Sequence, residues 1–72
     1  MPLRRLKDLR EDKDLTQAEV AEILKISQRA YSGYETGSRM IPYTALIRLA
    51  QFYDTSIDYI VELTDSKIPY KK

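Results

Sequence analysis

Hydroxyls, amides, carboxylates, amines and guanidinium groups supply the polar chemistry of this chain, because histidine and cysteine are both absent. A nucleophilic or metal site would have to be built from Ser, Thr, Lys and carboxylates, and none of these converge at a spacing suited to such work. Glu11 with Asp12, and Glu19 with Glu22, read as solvated helix faces rather than as acid/base pairs. No enzyme activity, cofactor or metal is therefore expected. What the polar spacing does serve is the capping of backbone amides. Thr16 is followed three residues later by Glu19, a capping box that satisfies two orphan donors at a helix start. Ser27 stands where it can cap a second helix.

These caps place two short helices within residues 15–37. Ala21 and Leu24 share a face with Gln17 in the first, and only Lys25 and Ile26 precede Ser27. The second runs from Gln28 to about Glu35 and closes at Thr36-Gly37, where glycine adopts a left-handed conformation without steric cost. So tight a join forces a large crossing angle, which is a device for presenting one helix to a groove.

The remaining segments are helical as well. Leu3, Leu6, Leu9 and Arg10 fall near one face of a helix that begins after Pro2 and ends near Lys13. Leu46, Leu49, Ala50 and Tyr53 keep the i, i+3, i+4, i+7 pattern, with Pro42 setting the approach. Ser56 and Asp58 start a last helix carrying Ile57, Ile60, Val61 and Leu63. Tyr31, Tyr34, Tyr53 and Tyr59 are expected in the core or at its rim. No alternating strand pattern competes, so the fold class is all-α, a five-helix bundle over residues 1–65. Residues 66–72, broken by Pro69, form a tail.

At 72 residues the chain makes one domain with one small core. Without cysteine no disulfide reinforces it, which suits a reducing cytosol. There is no apolar run near the ~18 residues of a membrane span, and no signal peptide, so a soluble cytoplasmic protein is expected. The net charge is only +1, yet Asp54, Asp58, Glu62 and Asp65 leave residues 54–65 at −4. Arg29, Arg39 and Arg48 oppose Glu35 alone over residues 27–48. One region can face phosphates while another faces away.

Taken in order, several segments resemble the helix-turn-helix domains of the lambdoid phage repressor and Cro family. They are Leu15-Thr16-Gln17-Ala18-Glu19-Val20-Ala21, Ile26-Ser27-Gln28, Tyr34-Glu35-Thr36-Gly37, Ile41-Pro42, Leu49-Ala50 and Ser56-Ile57-Asp58-Tyr59. The resemblance covers about residues 3–64. It implies that the helix after Ser27 lies in the DNA major groove while the preceding helix crosses the backbone. Gln28 then reads a base, its amide matching the N6/N7 edge of adenine. Arg29 is bidentate to guanine or bends to a phosphate, the base being favoured, and Ser32 reaches a base or a phosphate. Gln17, Arg39 and Thr44 are implied phosphate contacts, as is Ser27 after its capping role. Arg10 and Glu35 match a family ion pair whose role is structural.

Two positions depart from the family pattern. Lys25 stands where glycine is usual, so it either takes a left-handed conformation, alters the turn, or offers its charge to DNA. Gly33 replaces a long polar side chain among the base-contacting positions. Either it reads nothing, or it lets the helix approach the groove floor. The resemblance implies a sequence-specific DNA-binding regulator, a repressor, acting as a homodimer on a double-stranded operator. Its dimer surface is expected from Ile57, Ile60, Val61, Leu63, Ile68 and Tyr70, with no membrane and no small-molecule ligand. The alternative is a protein-binding helix-turn-helix module, an antitoxin or anti-repressor partner.

Overall fold

The computed structural model of the chain describes residues 3–63, and the expected tail, with Ile68 and Tyr70, lies outside the described residues. The elements in order are α1 (Arg4–Asp12), α2 (Gln17–Leu24), α3 (Gln28–Thr36), α4 (Tyr43–Phe52) and α5 (Ile57–Ile60). The all-α, five-helix expectation holds, and no strand occurs among the described residues.

Side-chain caps start three of these helices. Thr16 Oγ1 accepts from the Glu19 amide at 3.1 Å while Glu19 Oε1 accepts from the Thr16 amide at 2.9 Å, closing the capping box of α2. Ser27 Oγ accepts from the Ala30 amide at 3.1 Å, and Ser56 Oγ from the Tyr59 amide at 3.0 Å. Such a cap contributes about 1 kcal/mol relative to alanine. α4 has no side-chain cap, and Pro42, with φ −69°, leads directly into it.

The helix ends share a second device. Asp14, Lys25, Asp54 and Glu62 all adopt positive φ, between 53° and 65°. After α2 the Lys25 amide donates to the Glu22 carbonyl at 3.1 Å and the Ile26 amide to the Ala21 carbonyl at 3.0 Å, the paired bonds of a Schellman motif. The same pairing recurs at Asp14 and Leu15, at Asp54 and Thr55, and at Glu62 and Leu63. Only α3 ends on glycine, Gly37 at φ 85°. Lys25 thus takes the left-handed conformation that its position requires, with φ 59° and ψ 42°.

The core is continuous. Leu6 and Leu9 of α1 meet Val20, Ala21 and Leu24 of α2, Tyr31 and Tyr34 of α3, Leu46, Leu49 and Ala50 of α4, and Tyr59 and Ile60 of α5. α2 packs on α3, α1 bridges α3 and α5, and α4 backs onto α5. All four tyrosines expected in the core or at its rim are buried. Full burial of a side chain such as Leu6 or Leu49 stabilises the fold by roughly 1.5 to 3 kcal/mol.

The last helix corrects its expectation. It stops at Ile60, because Glu62 turns left-handed and the Leu63 amide folds back to the Asp58 carbonyl at 2.7 Å. Val61 and Leu63 therefore follow the helix instead of riding on it. Ile60 is fully buried within this chain's own core and is unavailable to a partner, whereas Leu63 is 76% exposed.

Candidate nucleic-acid interface

The Schellman turn at Lys25 and the Ser27 cap set the orientation of α3, and its residues then sort into two faces. Tyr31, Tyr34 and Glu35 point inward and are buried, while Gln28, Arg29 and Thr36 are exposed and Ser32 is half-exposed. At 100° per residue, positions 29, 32, 33 and 36 share the outward side. Gln28 and Arg29 occupy the first turn, so their long polar side chains leave from the end of α3 nearest the join.

An ion pair holds this helix against α1. Arg10 Nε donates to Glu35 Oε2 at 2.8 Å, and Arg10 Nη2 to Glu35 Oε1 at 3.3 Å. The side chains are 12% and 5% exposed, so the pair is largely desolvated. Arg10 Nη1 also donates to the Leu15 carbonyl at 2.9 Å, tying the segment before α2 into the same cluster. Burial pushes the Glu35 carboxyl upward, but hydrogen bonding from Arg10, reinforced by Gln17, outweighs it and holds the group below its usual range. The Tyr31 phenol is pushed well above its ordinary value by burial and then by the neighbouring Glu35. That hydroxyl lies beside the carboxylate without making a hydrogen bond of good geometry, and the buried Tyr53 hydroxyl likewise has no hydrogen-bond partner among the described residues. Burial and the charge of Glu35 push the Tyr53 phenol up to about 12.

Gln17 belongs to this cluster. Its Nε2 donates to Glu35 Oε1 at 3.1 Å, so the side chain named as a phosphate contact is already engaged inside the protein. Ser27 Oγ accepts from the Ala30 amide, which leaves its O–H available to donate. Thr44, in the first turn of α4, is exposed.

Gly33 is the most enclosed of the four positions named for base contact. It is buried although it lies on the outward side of α3, because the stem of Arg39 crosses it. A Cβ at Gly33 would lie 2.8 Å from both Cγ and Cδ of Arg39. The Gly33 carbonyl accepts the Gly37 amide at 2.9 Å and the Arg39 amide at 3.1 Å, so the loop is laced to the helix at this point. Gly33 is a seat for Arg39, whose stem covers it.

Two contacts of the α1–α5 side had no signal in the sequence. Arg4 Nη2 pairs with Glu62 Oε1 at 2.8 Å, and the Arg5 guanidinium stands 4.3 Å over the Tyr59 ring while donating to the Tyr59 carbonyl at 3.0 Å. A groove of about 730 Å³ lined by Arg4, Lys7, Arg10, Gln17, Glu35 and Glu62, among others, runs between these ties. Its innermost charges neutralise one another. Among the described residues no cluster of three potential ligands is placed to hold a metal ion, and no helix is long and apolar enough to cross a membrane.

A family model described as helix-turn-helix matches residues 6–60. The chain is similar to the HTH-type transcriptional regulator YobD of Bacillus subtilis (strain 168), 42% identical over 69 residues, 96% of this chain and 62% of that protein. It is similar also to the HTH-type transcriptional regulator AnsR of Bacillus subtilis (strain 168), 38% identical over 61 residues, 85% of this chain and 53% of AnsR. The cryptic phage CTXphi transcriptional repressor RstR of Vibrio cholerae is 31% identical over 67 residues, 93% of this chain and 60% of RstR. The chain thus spans between half and two thirds of the length of these curated relatives. No solved structure matches it. The helices, their caps, the crossing of α2 and α3 and the matched span together place the chain in the helix-turn-helix family of the phage repressor and Cro type.

Proposed function

We propose that the chain is a sequence-specific DNA-binding regulator of transcription, a repressor, that lays α3 in the major groove of an operator. The observation that carries the reading is the outward face of α3, where Gln28 and Arg29 stand exposed on a helix whose opposite side is pinned by Arg10 and Glu35. Gln28, Arg29 and Ser32 are the base-reading side chains. The first amides of α2, the Ser27 edge and Thr44 meet phosphates, the positive end of the α2 dipole favouring an anion. With Gln17 held by Glu35, its phosphate contact falls to the backbone of the same turn.

Half-sites about one helical turn apart, occupied by two copies, give a reader with so few base contacts the affinity it needs. Leu63 and the exposed parts of Ile57 and Val61 are the available dimer surface, since Ile60 is committed to the core. The domain extends over residues 1–65 with a tail at 66–72, and it works in the cytoplasm, at the nucleoid, without catalytic activity.

Selection of bound sequences from random duplex DNA, followed by mobility shifts on the selected site over a salt series, tests this reading. A two-fold symmetric site is expected, with log affinity falling linearly against log salt. Absence of salt-dependent duplex binding would overturn it in favour of the protein-binding alternative.

A further inference from the structure

Arg39 leaves the loop after α3, where a basic side chain would ordinarily be assigned to the DNA backbone. Its path is different. The Cβ, Cγ and Cδ atoms of Arg39 lie 3.1, 2.8 and 2.8 Å from the point where a Gly33 Cβ would stand, so the stem of Arg39 occupies the first space that a residue-33 side chain would fill. Position 33 lies one turn beyond Arg29 on the outward side of α3. The Arg39 amide bonded to the Gly33 carbonyl at 3.1 Å fixes the start of the side chain, and its middle lies in the space left by the missing Gly33 Cβ. Among the described residues no carboxylate pairs with Arg39 or with Arg29, so both guanidinium groups keep their donors available.

We propose that Arg39 is a base-reading residue of this protein: it lies over Gly33 and delivers a guanidinium to guanine O6/N7 from the position where the recognition helix itself carries no side chain. The proposal rests on the DNA-binding reading above and changes what Arg39 does within it. An arginine fork suits this edge, since two parallel N–H donors match the two acceptors of guanine and no other base pair offers that pattern. Gly33 is the positioning residue. Any side chain there takes the space of the Arg39 stem, because a contact of 2.8 Å at mid-stem forces the stem away.

The test compares the parent chain with Arg39→Ala, Arg39→Lys and Gly33→Ala on the selected operator and on all its single base-pair substitutions. Arg39→Ala should lower discrimination at one guanine about 10- to 100-fold and leave the ranking at other positions unchanged. Arg39→Lys should recover only part of it, having no planar fork. Gly33→Ala, although alanine favours helix, should lose preference at the same base pair, and the Gly33→Ala, Arg39→Ala double variant should lose no more than either alone. A uniform loss across all duplexes, with the salt slope shallower by about one phosphate, overturns the proposal and makes Arg39 a backbone contact. Unchanged profiles overturn it too. If the parent chain binds no duplex, the DNA-binding reading fails as well, which separates that failure from one confined to Arg39.

Discussion

Arg10 Nε donates to Glu35 Oε2 at 2.8 Å across 25 residues of sequence, and through this contact α1 holds the end of α3. With Glu35 only 5% exposed, removing either partner leaves a charge that water cannot easily reach. Glu35→Ala should cost about 3 to 5 kcal/mol. It should also weaken DNA binding, because α3 loses its support rather than a reading group. Thermal unfolding checks this: a lowered melting temperature is expected, and an unchanged one would remove the structural role.

The same carboxylate makes stability depend on pH. Its folded-state pKa lies below the ordinary 4.5, because hydrogen bonding from Arg10 and Gln17 outweighs the effect of burial. A depressed carboxylate stabilises the fold above its unfolded pKa, and that contribution fades as pH falls through the folded value. Urea midpoints of the parent chain should therefore exceed those of Glu35→Gln at neutral pH, and the gap should shrink below about pH 4.5. A gap that stays constant down to acid unfolding would mean that Glu35 does not titrate with folding.

Gln28 stands exposed in the first turn of α3 and accounts for none of the helix's own capping, which Ser27 supplies. Its truncation should therefore cost recognition and not stability. Gln28→Ala is expected to relax preference at a single base pair by about 1 to 3 kcal/mol while the melting temperature holds. Binding profiles over all single substitutions of the selected site measure this. Loss spread evenly over every site would place Gln28 against the backbone instead.

How much of this was legible in sequence follows from the range of each signal. Thr16 with Glu19, Ser27 and Ser56 announce helix starts because a cap and its amide are neighbours in the chain. The apolar period of α4 is equally local. The pairing of Arg10 with Glu35 rests on family resemblance, since nothing in their spacing joins them. The apolar pattern of Ile57, Ile60, Val61 and Leu63 runs past the end of α5, because Glu62, not glycine, takes the left-handed position. Arg4 with Glu62, 58 residues apart, and Arg39 with Gly33 depend on how loops return to helices. Gln17 is matched to a phosphate by the family resemblance alone, and its hydrogen bond to Glu35, 18 residues away, exists only once α2 and α3 have packed together.

Lys25 offers a test of the turn itself. At φ 59° and ψ 42° it holds a conformation that costs an L-residue roughly 1 to 2 kcal/mol, and its Schellman bonds come from backbone amides that any residue supplies. Glycine relieves the strain but gives back about 0.5 to 1 kcal/mol in chain entropy. Lys25→Gly should thus stabilise the fold by up to about 1.5 kcal/mol. Among the four non-glycine left-handed positions, Lys25 is exposed and makes no side-chain bond in the described structure, whereas Glu62 would also lose its pairing with Arg4. Denaturant unfolding gives the sign directly. If Lys25→Gly is destabilised, the lysine contributes more to the turn than its backbone geometry indicates. If it is stabilised but binds its operator with a salt slope shallower by about one, the lysine charge also meets a phosphate, which separates the cost of the turn from a use for the side chain.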